Sequence, residues 1–126
     1  MPRVQIPVTT INPYSNGAGG FSQITFVPFA SADDHYMVND GRTLLLSRTE
    51  TAGASSYTVL SVVDINGRIG DVTVTLPGYE SVAKNSITAA GPFVASQFNQ
   101  GGGRELYVDT AASIAYAIAG LRLPIV

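Results

Sequence analysis

The stretch Asn39-Asp40-Gly41-Arg42-Thr43-Leu44-Leu45-Leu46-Ser47-Arg48 (NDGRTLLLSR) decides the fold. Asn and Asp side chains bond to nearby backbone and Gly admits positive φ, so Asn39-Asp40-Gly41 is a chemically specified turn. Three leucines follow it, and in an extended strand they put apolar side chains on both faces. A strand covered on both faces belongs near the middle of a two-layer structure. A helix is the competing reading, because a short apolar run has no diagnostic period. Thr43, Ser47, Thr49, Thr51 and Gly53 weigh against it.

Upstream, Val4, Ile6 and Val8 alternate with Arg3, Gln5 and Pro7, and Ile11 and Tyr14 follow before the Gly-rich run 15–20. Pro2, Pro7 and Pro13 exclude a helix and suit an edge strand or a free arm. We therefore divide the chain into an extended N-terminal arm and hinge, 1–20, and one domain, 21–126. Val4, Ile6, Val8, Ile11 and Tyr14 need burial, either on the domain's own sheet edge or on a neighbouring subunit by strand addition. They are the candidate partner-interface residues.

Downstream, the pattern predicts strands at Gln23–Phe29, Tyr57–Asp64, Val72–Leu76, Ser86–Ala90, Phe93–Phe98 and Glu105–Asp109. Ser31–Tyr36 reads as a polar loop. Asn66-Gly67 is a strong hairpin signal, and Val72–Leu76 alternates cleanly with Thr outward. In Ile114–Leu123, Ile114, Tyr116 and Ile118 share one face and alanines the other. Helix competes there because Ala favours it, but Gly120 would interrupt a helix, and an alanine face would let a second layer approach. Short strands between turn signals predict an all-β protein, an antiparallel β-sandwich, jelly-roll-like or Ig-like.

Composition narrows the function. The 126 residues are 45% hydrophobic, which suits one domain with a real core. With no cysteine, disulfides and thiol chemistry are excluded. Only 13% of residues are charged and the net charge is −2, so no basic footprint for nucleic acid stands out. So little charge fits a subunit held in an assembly, or a surface rich in Thr, Ser and Asn. No apolar run reaches the roughly 18–20 residues of a membrane span, and no secretory signal opens the chain.

Catalytic chemistry finds little support. His35, the single histidine, follows Asp33-Asp34, but a metal site would lack a second imidazole, and a solvated loop explains it better. Asp64, Asn66 and Asp71 resemble the start of a calcium loop, yet the twelfth position holds Thr75 rather than a bidentate Glu. No Gly-x-Ser-x-Gly turn frames a serine, and Gly101-Gly102-Gly103 lacks the lysine of a phosphate loop. We expect no catalytic residues, metal or cofactor, and no enzyme. Tyr and Phe could form a sugar-binding face, although Trp is absent.

The order NDGRTLLL, then GPF (Gly91–Phe93), FNQ (Phe98–Gln100), LYVD (Leu106–Asp109) and LRLP (Leu121–Pro124), resembles small all-β capsid decoration, or cement, proteins of tailed bacteriophages. Each fragment is β-structural rather than catalytic. The resemblance covers about Phe26 to Pro124 and implies a β-sandwich on the capsid exterior. It further implies clustering as homotrimers, binding to major capsid protein and the bridging of adjacent capsomers. Another virion component, at the head–tail junction or in the tail, and a carbohydrate-binding module are the alternative functions.

Overall fold

The turn and leucine strand lie where two facing sheets meet one end of the molecule. The computed structural model describes residues 3–11, 23–29, 34–62, 70–100, 103–110 and 116–123. Its strands are β1 (Val4–Gln5), β2 (Val8–Thr10), β3 (Val27–Pro28), β4 (His35–Val38), β5 (Thr43–Thr49) and β6 (Ser55–Val59). They continue with β7 (Val72–Leu76), β8 (Ile87–Ala90), β9 (Asn99–Gln100), β10 (Glu105–Asp109) and β11 (Tyr116–Arg122), and a single helical turn, α1, covers Ala95–Phe98.

One sheet runs β1-β4-β10-β6-β7, with β9 also on β10; the other runs β2-β11-β5-β8, with β3 also on β11. From β3 onward the antiparallel strands give the orders β3-β11-β5-β8 and β4-β10-β6-β7. Consecutive strands mostly cross between sheets. An immunoglobulin sandwich instead keeps its first two strands in one sheet. Of the two expected sandwich types, the strand order is therefore the jelly-roll one.

The leucine strand is an interior strand, with β11 on one side and β8 on the other. Leu45 points into the core at 0% exposure, while Leu46, on the opposite face, is still only 6% exposed. Segment Gln23–Phe26 runs beside that outer face: Thr9 Oγ1 donates to Gln23 O at 3.3 Å, and the Arg48 guanidinium lies 4.8 Å from the Phe26 ring centre. Between the sheets, Met37, Leu45, Tyr57, Leu106, Tyr116 and Ile118 are buried in one cluster. Burying a side chain of this size contributes about 1.5–3 kcal/mol.

Several local expectations change. Residues 3–11, for which the sequence left open the domain's own sheet edge or a neighbouring subunit, are built into both sheets of the domain. β1 pairs in parallel with β4, and β2 pairs in parallel with β11. The chain changes sheet at Pro7, whose missing donor is no loss at an edge. Tyr14 and the Gly-rich run lie outside the described residues, as does the Asn66-Gly67 turn. His35 is not in a solvated loop: it opens β4, is 0% exposed and meets Phe29 edge-to-face at 5.2 Å. Ala95–Phe98 is a helical turn rather than strand. β11 is a strand, as expected, and Ala117 and Ala119 lie on the face away from Tyr116 and Ile118, where they are nevertheless only 3% and 0% exposed. Between the sheets the close approach is at Gly120, where a Cβ would lie 2.8 Å from Met37 Sδ of the facing sheet and 2.8 Å from Val8 Cγ2 on the neighbouring strand.

Two buried tyrosines provide a stability test. Burial raises the phenol pKa of both, Tyr57 up to about 12 with the Ser47 hydroxyl offsetting part of the shift. Tyr116 OH donates to Gly53 O at 2.9 Å, whereas Tyr57 OH faces only the Ser47 hydroxyl, and the two complete no hydrogen bond of good geometry among the described residues. Removing a satisfied buried hydroxyl costs about 0.5–1.5 kcal/mol, and removing an unsatisfied one costs little. Urea denaturation should thus show Tyr116→Phe destabilised by about that amount and Tyr57→Phe unchanged or more stable. The reverse order would contradict the assignment.

Candidate functional site

Parts of NDGRTLLL, GPF, FNQ and LRLP are far apart in sequence but meet at one end of the sandwich, while LYVD lies along β10. Their meeting point is the turn between β4 and β5. Gly41 has φ +87°, the left-handed conformation the sequence called for. Asn39 is 0% exposed, and its amide is fully used. Oδ1 accepts from Gly41 N at 3.1 Å; Nδ2 donates to Phe93 O at 3.1 Å and to Asn99 Oδ1 at 2.8 Å. Asn99 Nδ2 returns a bond to Asn39 O at 2.9 Å, and Asn39 N donates to Arg104 O at 2.7 Å.

Asp40 extends the cluster toward the chain's last strand. Its carboxylate accepts from Arg42 N (2.9 Å), Arg42 Nη2 (3.0 Å) and Thr43 Oγ1 (3.2 Å). Arg122 Nε lies 3.2 Å away, an ion pair without good hydrogen-bond geometry. Burial pushes the Asp40 carboxyl up, but the two Arg42 donors, Thr43 and Arg122 together outweigh it and hold it below its usual value. Leu123 N then donates to Arg42 O at 3.0 Å, tying the end of β11 to the same turn.

This end therefore holds three loops rigidly and displays apolar groups on them. Val94, next to the Phe93 carbonyl that Asn39 holds, is 54% exposed; Leu123 is 37% exposed. Rigidly supported loops are where binding residues concentrate. Sequence reasoning included Leu123 in LRLP and stopped one residue short of Val94 at GPF, but marked neither as exposed, since exposure of a Val or Leu has no sequence signature.

The expected interface residues are dispersed. Ile6 is 0% exposed in the domain's own core, so it is not available to a neighbour. Val8 and Ile11 are half-buried along β11, with Ile11 N donating to Arg122 O at 3.0 Å. Val4 remains 37% exposed at the β1 edge. Arg3 anchors this segment: its guanidinium pairs with Asp109 and stacks 3.9 Å from the Tyr107 ring centre.

That stacking also bears on sugar binding, because Arg3 occupies the Tyr107 face while Tyr57 and Tyr116 are buried. Among the described residues no group of three or more His, Asp or Glu could hold a metal ion, and no helix is long and apolar enough to cross a membrane. No family model, curated protein or solved structure matches the chain.

The Asp40 cluster makes stability depend on acid. A carboxylate whose folded pKa is lowered contributes stability above its unfolded value, near 3.9, and that stability is lost as pH falls through the folded pKa. Melting temperatures measured from neutral pH down to strongly acidic pH should fall more steeply for the wild type than for Asp40→Asn once the pH drops below about 4. Parallel curves would remove Asp40 from the acid response.

Proposed function

We propose that the protein is a structural virion component that binds the outside of an icosahedral phage capsid. In this role it bridges major capsid protein subunits, as a homotrimer on the shell. One observation supports the reading above the others. Four of the five fragments that carry the resemblance, NDGRTLLL, GPF, FNQ and LRLP, belong to one linked cluster, and the fifth, LYVD, lies in strand β10. A likeness concentrated in one three-dimensional unit is harder to obtain by chance than one scattered over a β-sandwich. The jelly-roll order also suits the role, since double-sheet jelly rolls recur in viral capsid domains.

In this proposal the working surface is the end that the Asn39 cluster holds rigid. Preformed loops lose little conformational entropy on docking, so the apolar area of Val94 and Leu123 contributes to affinity nearly undiminished. Subunit contacts of a permanent kind are apolar at their centre, which is what these two residues offer.

The test replaces both with aspartate and measures occupancy on heads of the phage that encodes the protein. Val94→Asp/Leu123→Asp should still fold, with the melting temperature lowered by no more than a few degrees, since Val94 is 54% and Leu123 37% exposed. Its affinity for heads should drop at least about tenfold, the equivalent of about 1.4 kcal/mol. Unchanged occupancy would reject this contact surface. Stoichiometry separates the virion roles: many copies per particle accord with a shell protein, while a single ring's worth would place the protein at the head–tail junction.

A further inference from the structure

The two sides of the sandwich are finished differently. On one side the N-terminal segment occupies both sheet edges, β1 along β4 and β2 along β11, with β3 continuing the same edge of β11. Pro7 and Pro28 sit there, and proline blocks further ladder bonds. On the other side the sheets end in β7 and β8, and no described strand pairs with their free edges.

Those two strands read Val72-Thr73-Val74-Thr75-Leu76 and Ile87-Thr88-Ala89-Ala90. Neither contains a charge, a proline or a glycine. Natural edge strands are normally protected by lysine, proline, a bulge or a cover, because a bare edge templates pairing with another chain. Exposed apolar groups accumulate on the same side, with Val72 at 38%, Tyr79 at 44% and Ile87 at 54% exposure.

We propose that the β7 edge is an interface with a second copy of this chain, formed by antiparallel pairing of β7 with β7 about Val74. In that register Val74 lies opposite Val74 of the partner copy, Thr73 opposite Thr75, and Val72 opposite Leu76. Residues facing one another across an antiparallel pair share a face. Apolar residues would extend the core side and threonines the exposed side, with no like charges opposed. Asp71 would lie opposite Pro77, so the acidic group meets no second carboxylate, and Pro77 ends the ladder at both limits. A two-fold contact of this kind closes on itself. The contact does not propagate, because each β7 has one edge beyond its pairing with β6 and the two-fold pair uses both. The inference concerns self-association alone and stands apart from the shell-binding reading.

Thr73 and Thr75 are exposed, so charges placed there should be tolerated by the fold. Thr73→Lys/Thr75→Lys sets lysine against lysine across the interface. Thr73→Lys/Thr75→Glu sets lysine against glutamate in the Val74-centred register only. Light scattering of the purified full chain, with circular dichroism as a folding control, should show the double-lysine form at about half the wild-type mass. The Lys/Glu form should return to the wild-type mass, and raised salt should weaken that rescue. A wild-type mass equal to that of the double-lysine form overturns the proposal. So does a Lys/Glu form that stays at the lower mass, which would point to a different register or to a partner other than this chain.

Discussion

The fold depends on a single buried amide. Asn39 has no access to water, so every polar atom it carries must find a partner within the protein, at a cost of about 1–3 kcal/mol for each one left unmade. Those partners come from Phe93, Asn99 and Gly41, with Arg104 on its backbone. They lie in three connections: the β4–β5 turn, the loop after β8, and the approach to β10. A register slip in any of the three would strand the amide. Apolar burial holds the two sheets together, but it is tolerant of small shifts. The directional amide network is not tolerant, and it selects one arrangement of loops among the many that would bury the same leucines.

The leucine strand was legible because its information is local. Asn-Asp-Gly states a turn, and three leucines state burial on both faces, whichever strands lie alongside. β7 was legible for the same reason, through strict Val/Thr alternation. In β11 a backbone argument about Gly120 separated strand from helix, and the alanines lie on the face opposite Tyr116 and Ile118 that alternation assigned to them. The tertiary cause of Gly120 was not legible: Met37 crowds it from the facing sheet and Val8 from the neighbouring strand, and neither is near it in sequence.

The misreadings share one origin. Apolar alternation in Val4–Val8 states that burial is required but not by which surface, so an arm on a neighbour and an edge strand at home look alike. His35 follows two aspartates and looked solvated. Strand β4 starts at the histidine itself, and alternation turns it inward toward Phe29. Ala95–Phe98 is a single turn, too short for any period to show. The candidate site was legible in its supporting residues and illegible in its exposed ones. Turn and cap chemistry leaves a mark on sequence, whereas an exposed Val94 needs no special neighbours.

The low charge of the chain acquires a sharper meaning once the charges are placed. Of seven basic residues, Arg3, Arg42, Arg48 and Arg122 are each paired with an acidic side chain of the same domain. Arg3 locks the N-terminal strand, and Arg42 and Arg122 meet at Asp40. Arg3, Arg42 and Arg122 thus serve internal positioning, and the exposed charges that remain, such as Glu80, Lys84 and Arg104, are few and of both signs. Such a surface generates little long-range field and cannot steer a charged partner from a distance. Recognition must then come from shape, edge hydrogen bonds and apolar contact at short range. That mode suits partners presented at high local concentration and kept for long periods, since slow dissociation, rather than fast capture, sets affinity where steering is absent. Among the described residues, the loop end held by Asn39 and the unpaired edges of β7 and β8 are able to work in that way.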